Sequence, residues 1–301
     1  MTDTTEPTAA TREDVAALII DDRQASNSYL ARDNPPHPLS VKQYYLQLKA
    51  LSDEVDFDEI GLSVFSQNNE DGILMYLLSR IGMKTKRCIE VGCDLSASTI
   101  GIPEGNTINL ITNFGFDGLI VDIDPAKAGA IRHFFARALS TKHYHTPERN
   151  GRPSRYFSPS IVTAEVTTEN INDVYRDAGF VGEVDLMSID VDGADVAMWR
   201  AVTVVDPRLV MVEVNNRLEC DQPVFGRATS SEAPVNTLEF QTSYGSSLAA
   251  ACEVAAEKGY ILVGMDVTLI NAFFVRKDLA AGFREVQPAE YRTHRMNPLR
   301  A

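Results

Sequence analysis

The chain is short of positive charge. Lys and Arg total 28 against 42 Asp and Glu in 301 residues, a formal net charge of −14. Such a balance repels nucleic acid and anionic membrane surfaces unless a local basic patch overrides it. The nearest cluster, Arg149, Arg152 and Arg155 among Gly, Pro and Ser, reads as an exposed loop. Long hydrophobic runs are also missing, and the Thr-rich, acidic start has no apolar core of the kind a signal peptide or anchor needs. The expectation is therefore a cytoplasmic chain with neither nucleic acid nor membrane as partner. Cysteine is scarce: Cys88, Cys93, Cys220 and Cys252 show neither the paired spacing of a zinc site nor the density of a disulfide scaffold. The single tryptophan, Trp199, falls on a helix and is expected in the core.

What is present, 44% hydrophobic residues, suffices for a large core. Residues 1–12 read as disordered and 13–62 as a helical appendage, a candidate lid or homodimer contact. Within it, a helix over 12–30 is broken by Asn34-Pro35-Pro36-His37-Pro38. A second helix then shows Val41, Tyr44, Tyr45, Leu48 and Leu51 on one face, with Ser40 as N-cap.

Residues 63–285 read as one α/β domain, followed by a tail over 286–301. Strands are expected at 87–91, 118–123, 160–166, 184–189 and 209–214, with helices near 106–114, 126–139, 168–178 and 194–202 between them. That alternation specifies a parallel, doubly wound sheet. A helix over 246–258 then leads to strands at 260–264 and 269–276, too close together for a helical crossover, so they form an antiparallel hairpin. Five parallel strands finished by a hairpin make a Rossmann-like sheet of the class I methyltransferase kind. A dinucleotide dehydrogenase more often continues with a sixth parallel strand.

In such a sheet ligands bind beyond the carboxyl ends of the strands, where strand order reverses. Glu90-Val91-Gly92-Cys93-Asp94 ends the first strand; Gly92 allows a tight turn, and Glu90 and Asp94 can accept hydrogen bonds from hydroxyls or an ammonium. Asp122 ends the second, where a carboxylate accepts the ribose hydroxyls of an adenosine cofactor. Asp124 caps the helix beginning at Pro125. A nicotinamide dinucleotide would need successive glycines for its pyrophosphate, and Asp94-Leu95 is a poor seat for that anion. S-adenosylmethionine carries no phosphate and fits better.

Several short motifs resemble the FkbM-related class I methyltransferases: Ser66-Gln67-Asn68-Asn69-Glu70-Asp71-Gly72, then Asn106-Thr107 with Asn109-Leu110-Ile111, then Ser188-Ile189-Asp190-Val191-Asp192-Gly193, Glu213-Val214-Asn215, Tyr244-Gly245-Ser246-Ser247-Leu248, and Asn271-Ala272-Phe273-Phe274-Val275-Arg276. The resemblance runs from about residue 65 to 279. It implies the fold and S-adenosyl-L-methionine as cofactor, and it places Gln67 and Asp71 near the cofactor's amino acid end. Glu70 and Asp71 fit equally as the acidic first turn of a helix. The first loop departs from the family, with Cys93, Asp94, Leu95 and Ser96 where further glycines are usual.

Methyl transfer needs a nucleophile held in line and, for an alcohol, a proton acceptor. Asp190 and Asp192 follow the fourth strand and are candidate catalytic residues that also reach the cofactor. With Glu213 and Asn215 after the fifth strand, Asp190 forms a candidate Mg2+ set; the alternative is that Asp190 and Asp192 organise the turn. His143 and His145, in an insertion over 141–159, are candidate general bases. The stretch 216–243 reads as an acceptor loop, with Arg217, Phe225, Arg227, Phe240 and Tyr244 as contacts. The expected activity is methyl transfer to the hydroxyl, less readily the amine, of a small molecule, with specialised metabolism as the expected setting. Its rivals are a nicotinamide-dependent oxidoreductase and a catalytically silent methyltransferase-like partner protein.

Overall fold

The computed structural model describes residues 36–51, 55–95, 102–137, 159–226 and 244–292. The expected N-terminal disorder and first helix, both candidate histidines (His143 and His145), the Arg149–Arg152–Arg155 cluster, Arg227, Phe240 and the last residues of the tail lie outside them.

Strand β1 (Arg87–Val91) pairs parallel with β2 (Asp117–Asp122) and β4 (Gly182–Ile189). Strand β3 (Ser160–Thr163) extends the sheet beside β2, and β5 (Val205–Glu213) extends it beside β4, again in parallel. The hairpin of β6 (Tyr260–Met265) and β7 (Asn271–Arg276) is then inserted so that β7 lies antiparallel against β5 and β6 takes the edge. The result is one mixed seven-stranded sheet in the order β3-β2-β1-β4-β5-β7-β6. Strand order reverses at β1/β4, the crevice where open α/β sheets take ligands.

The sheet is buried on both faces, which is why its strands read as near-continuous apolar runs. On one face Cys88, Ile120, Leu186, Met211 and Phe273 pack under α1 (Pro38–Ala50), α3 (Glu70–Ile81), α4 (Ile108–Phe114) and α5 (Pro125–Arg137). On the other, Ile89, Val121, Met187, Val212 and Phe274 pack under α6 (Ile171–Asp177), α7 (Asp195–Ala201) and α8 (Leu248–Lys258). Trp199 of α7 is buried there as expected, edge-on to Tyr260 with ring centroids 5.7 Å apart.

Helix α1 begins earlier than its apolar spacing suggests. His37, not Ser40, is the N-cap: its Nδ1 accepts from the Leu39 N–H at 3.2 Å, and Pro38 opens the helix because that position needs no N–H. Its face Val41, Tyr44 and Leu48 joins the same core as the sheet, and the Tyr44 hydroxyl donates to the Ile60 carbonyl at the end of α2 (Phe57–Ile60) at 2.6 Å. Strand β5 starts before its predicted first residue, at Val205, and runs through Pro207. Its pairing with β7 begins only at Leu209, so no ladder on that side asks for an N–H from Pro207. Among the described residues no helix is long and apolar enough to cross a membrane.

The amino end of the sheet is bolted by a buried ion pair. Arg208 donates to Asp185 at 2.8 Å and to the Ile81 and Gly82 carbonyls, each at 2.6 Å. Asp185 also accepts the backbone N–H groups of Lys84, Thr85 and Lys86.

Candidate functional site

Side chains alternate along a strand, so residues in register on one face form rows across a sheet. The row at the carboxyl edge follows from the pairings Asp122 with Thr163 and Glu213 with Asn271, and from the β1–β4 register continued one residue past Val91 and Ile189. It reads Thr163, Asp122, Gly92, Asp190, Glu213, Asn271. Carboxylates thus flank a position that has no side chain. Gly92 must be glycine: its φ is 87°, and a Cβ there would stand 1.7 Å from the Asp190 carbonyl oxygen.

On the β2 side of the gap, Asp122 is buried and accepts from the Asp124 N–H at 2.7 Å and the Cys93 N–H at 3.2 Å. These bonds hold both strand-end turns against one carboxylate. Asp124 caps α5 as expected, accepting from the Ala126 N–H at 2.7 Å. Between them Ile123 is 64% exposed at the mouth of the crevice. Sequence reasoning missed it, because an apolar residue at a strand end reads simply as strand. Asp94 pairs with Lys127 of α5 at 3.2 Å and bridges to Glu104 through its backbone, so its charge is already met within the chain.

Glu90 lies one row below the edge, fully buried. It accepts from the Asn106 N–H and the Thr107 hydroxyl, each at 2.5 Å, and from the Thr107 N–H at 3.3 Å, fixing the approach to α4. Burial pushes its carboxyl up to about 7 against those bonds. Asp71 is committed in the same way: one oxygen takes the N–H groups of Val64, Phe65 and Ser66 at 2.6–2.9 Å, and burial raises its pKa to about 6. The acidic first turn of α3 therefore shapes the 63–72 segment, while Gln67 is exposed.

On the β4 side, Asp190, Glu213 and Asp195 bring carboxylate oxygens within 4.8 Å of one another. Asp195 opens α7 and accepts from the Val191 N–H at 2.6 Å and the Gly193 N–H at 2.8 Å, closing the turn around Asp192. Asp192 itself sits in the left-handed region at φ 58°, a strained setting for a residue with a Cβ. Burial first, then mutual repulsion, raises the pKa of Asp190 and Glu213, which share a hydrogen bond, and burial raises that of Asp195. Groups so arranged hold protons or a cation.

Asn215, the other expected ligand, donates from its side-chain amide to the Tyr244 carbonyl and accepts from the Arg217 N–H, both at 2.9 Å. Asp195 joins Asp190 and Glu213 in the cluster without having been expected there. The signal for it is Ala194-Asp195 at a helix start, which alone reads as an ordinary acidic first turn.

The described residues on either side of 227–243 adjoin the cluster. A Cβ on Gly226 would meet the Gly245 backbone, and one on Gly245 would lie 3.3 Å from Asn215 Cβ and 3.9 Å from Gly193 Cα. Phe225 is half-exposed beneath the Arg200 guanidinium, 4.8 Å from its ring centre.

No family model matches the chain, and no curated protein matches it. Among solved structures, the O-methyltransferase from Bacillus cereus in complex with SAH is 12% identical, with a TM-score of 0.40, over 88% of this chain and 98% of that one. That likeness is too loose to carry an argument.

Proposed function

We propose that this protein transfers the methyl group of S-adenosyl-L-methionine to a hydroxyl of a small molecule. The observation that carries the reading is the edge row: one carboxylate on β2, a glycine gap on β1, and a carboxyl cluster on β4 and β5, all at the point of strand reversal. The residues fit the cofactor. Asp122 keeps acceptor capacity for two ribose hydroxyls beyond its two backbone bonds, Ile123 offers an apolar surface to the adenine, and Gly92 leaves room between them. The lone glycine of the loop, with Asp94 beside it, disfavours a pyrophosphate.

The cofactor supplies an electrophilic methyl group and a neutral thioether leaving group. What the chain must supply is position and a proton acceptor. The paired Asp190 and Glu213 carboxyls, whose pKa values are raised by burial and mutual repulsion, are the groups that would take the proton of a substrate hydroxyl as its oxygen forms the new bond to carbon. The strained Asp192 turn and the described residues on either side of 227–243 form the adjoining wall, where acceptor specificity would reside.

The same cluster supports a divalent cation. Asp190, Asp195 and Glu213 offer hard oxygen ligands, and Glu213 Oε2 is buried without a hydrogen-bond partner among the described residues. A Mg2+ ion held there would orient and acidify the hydroxyl.

Calorimetric titration of the full chain with S-adenosylmethionine tests the reading. Saturable binding is expected, weakened about tenfold or more in Asp122→Ala, on the order of one charge-assisted ribose contact. Binding undiminished by that change, or tight binding of NAD instead, would sink it.

A further inference from the structure

The segment Ser66-Gln67-Asn68-Asn69-Glu70-Asp71-Gly72 does more than begin α3. It joins parts of the molecule that are distant in sequence. The Phe65 carbonyl accepts from the Gly105 N–H at 3.0 Å, tying the segment to the loop Glu90 holds. Asn69 Oδ1 accepts from the Val267 N–H at 3.1 Å, tying it to the β6–β7 turn. Gly72 packs where a Cβ would fall 2.2 Å from the Ile60 carbonyl oxygen. Most telling, buried Glu70 accepts from Asn271 Nδ2 at 3.0 Å across the sheet edge.

An amide has one donor end and one acceptor end. With Nδ2 turned to Glu70, the Asn271 side-chain oxygen, Oδ1, is directed away from it. Among the described residues Oδ1 has no partner, although Asn271 is only 4% exposed. Directly across β5 and β7 stands Glu213, whose Oε2 is also buried without a partner among the described residues. Side chains so paired have Cβ atoms about 4.5–5.5 Å apart on one face. With Glu213 ionised both oxygens are acceptors only and cannot satisfy each other, and leaving both desolvated is costly. A positive centre between them satisfies both.

We propose that Asn271 supplies the neutral oxygen ligand of a divalent cation site completed by Asp190, Asp195 and Glu213, and that Glu70 is the positioning residue that orients it. The inference rests on the cation reading given above and adds to it a ligand from the terminal hairpin and a support from the 66–72 segment. Glu70 also accepts from the Asn68 N–H at 2.8 Å and from Asn68 Nδ2 at 3.2 Å, which fix its carboxylate in place, and it adds to the repulsion on Asp190. Residues that orient a metal ligand are typically worth 10–100-fold in affinity.

Calorimetric titration of the full chain with MgCl2 and MnCl2 tests this independently of activity, with thermal melting as the check on folding. Asn271→Ala is expected to weaken cation binding about tenfold or more, and Glu70→Ala to do the same without removing a ligand. Glu70→Gln keeps an oxygen for Asn271 Nδ2 and should stay within about threefold of the parent. Asn271→Ser serves if the alanine variant does not fold. Parent affinity in a folded Asn271 variant overturns the proposal, as does a lower melting temperature with unchanged affinity. A parent chain that binds S-adenosylmethionine but no cation overturns both this proposal and the cation reading, leaving the methyl-donor site standing.

Discussion

Gly92 and Asp192, in the turns that follow the adjacent strands β1 and β4, make opposite demands on the backbone. Gly92 uses its freedom to let the β4 chain pass, so Gly92→Ala sets a methyl group on a carbonyl and adds left-handed strain. A loss of about 3 kcal/mol or more in urea unfolding is expected, the range of severe steric and backbone defects. Asp192 bears strain that glycine would relieve. Asp192→Gly should hold stability or raise it by about 1 kcal/mol, while methyl transfer falls through loss of a carboxylate and a rigid turn. A variant that loses stability and keeps full activity would contradict this placement. At this scale the placement of Gly92 and Asp122 at consecutive strand ends was legible in the sequence, since each closes an apolar run. Asp195 and Asn271 were not, because their roles depend on register and on the fold of a turn, and neither is written in local spacing.

Among the elements, the strands and the helices between them were largely readable from apolar runs alternating with helical spacing. The ends were less so. Helix α1 takes His37 as its cap because Pro38 can open a helix but cannot lie within one, a preference that outweighs the better capping chemistry of Ser40. The hairpin was foreseen as antiparallel. That β7 would enter beside β5, bringing Asn271 opposite Glu213, needed the three-dimensional register. The most consequential element away from the site is the clamp at the amino ends of β4 and β5. Arg208→Ala removes the cation from a fully buried Asp185 and frees two carbonyls, and about 3–5 kcal/mol of stability should go with it. Parent-like denaturation midpoints in that variant would show the clamp to be dispensable.

For the whole molecule, acidity is distributed unevenly. Surface carboxylates such as Glu183 and Asp278 are held below their usual range by bonds to Lys84 and Arg276, so they stabilise the fold above the acid range and lose that effect as pH falls. Buried Glu90 and Asp71 act the other way. Their folded values, about 7 and about 6, lie above those of an unfolded chain, roughly 4.3 and 3.9. Their contribution is full below the unfolded values and is lost as pH rises through the folded ones. Stability should therefore peak near pH 5 and decline toward pH 7.5, and Glu90→Gln should flatten that decline. Urea midpoints at pH 5 and 7.5 measure it; a parent chain that gains stability over the interval would refute it.

The Arg208–Asp185 clamp and the carboxyl edge are opposite ends of the same strands, β4 and β5. At one end a buried carboxylate is met by a guanidinium and three backbone N–H groups; the other keeps unanswered oxygens and a missing side chain. Such a molecule resembles a book bound along one margin and open along the other. Its amide protons should exchange slowest near the binding and progressively faster toward the open leaves, and a ligand at the edge should flatten that gradient from one end only.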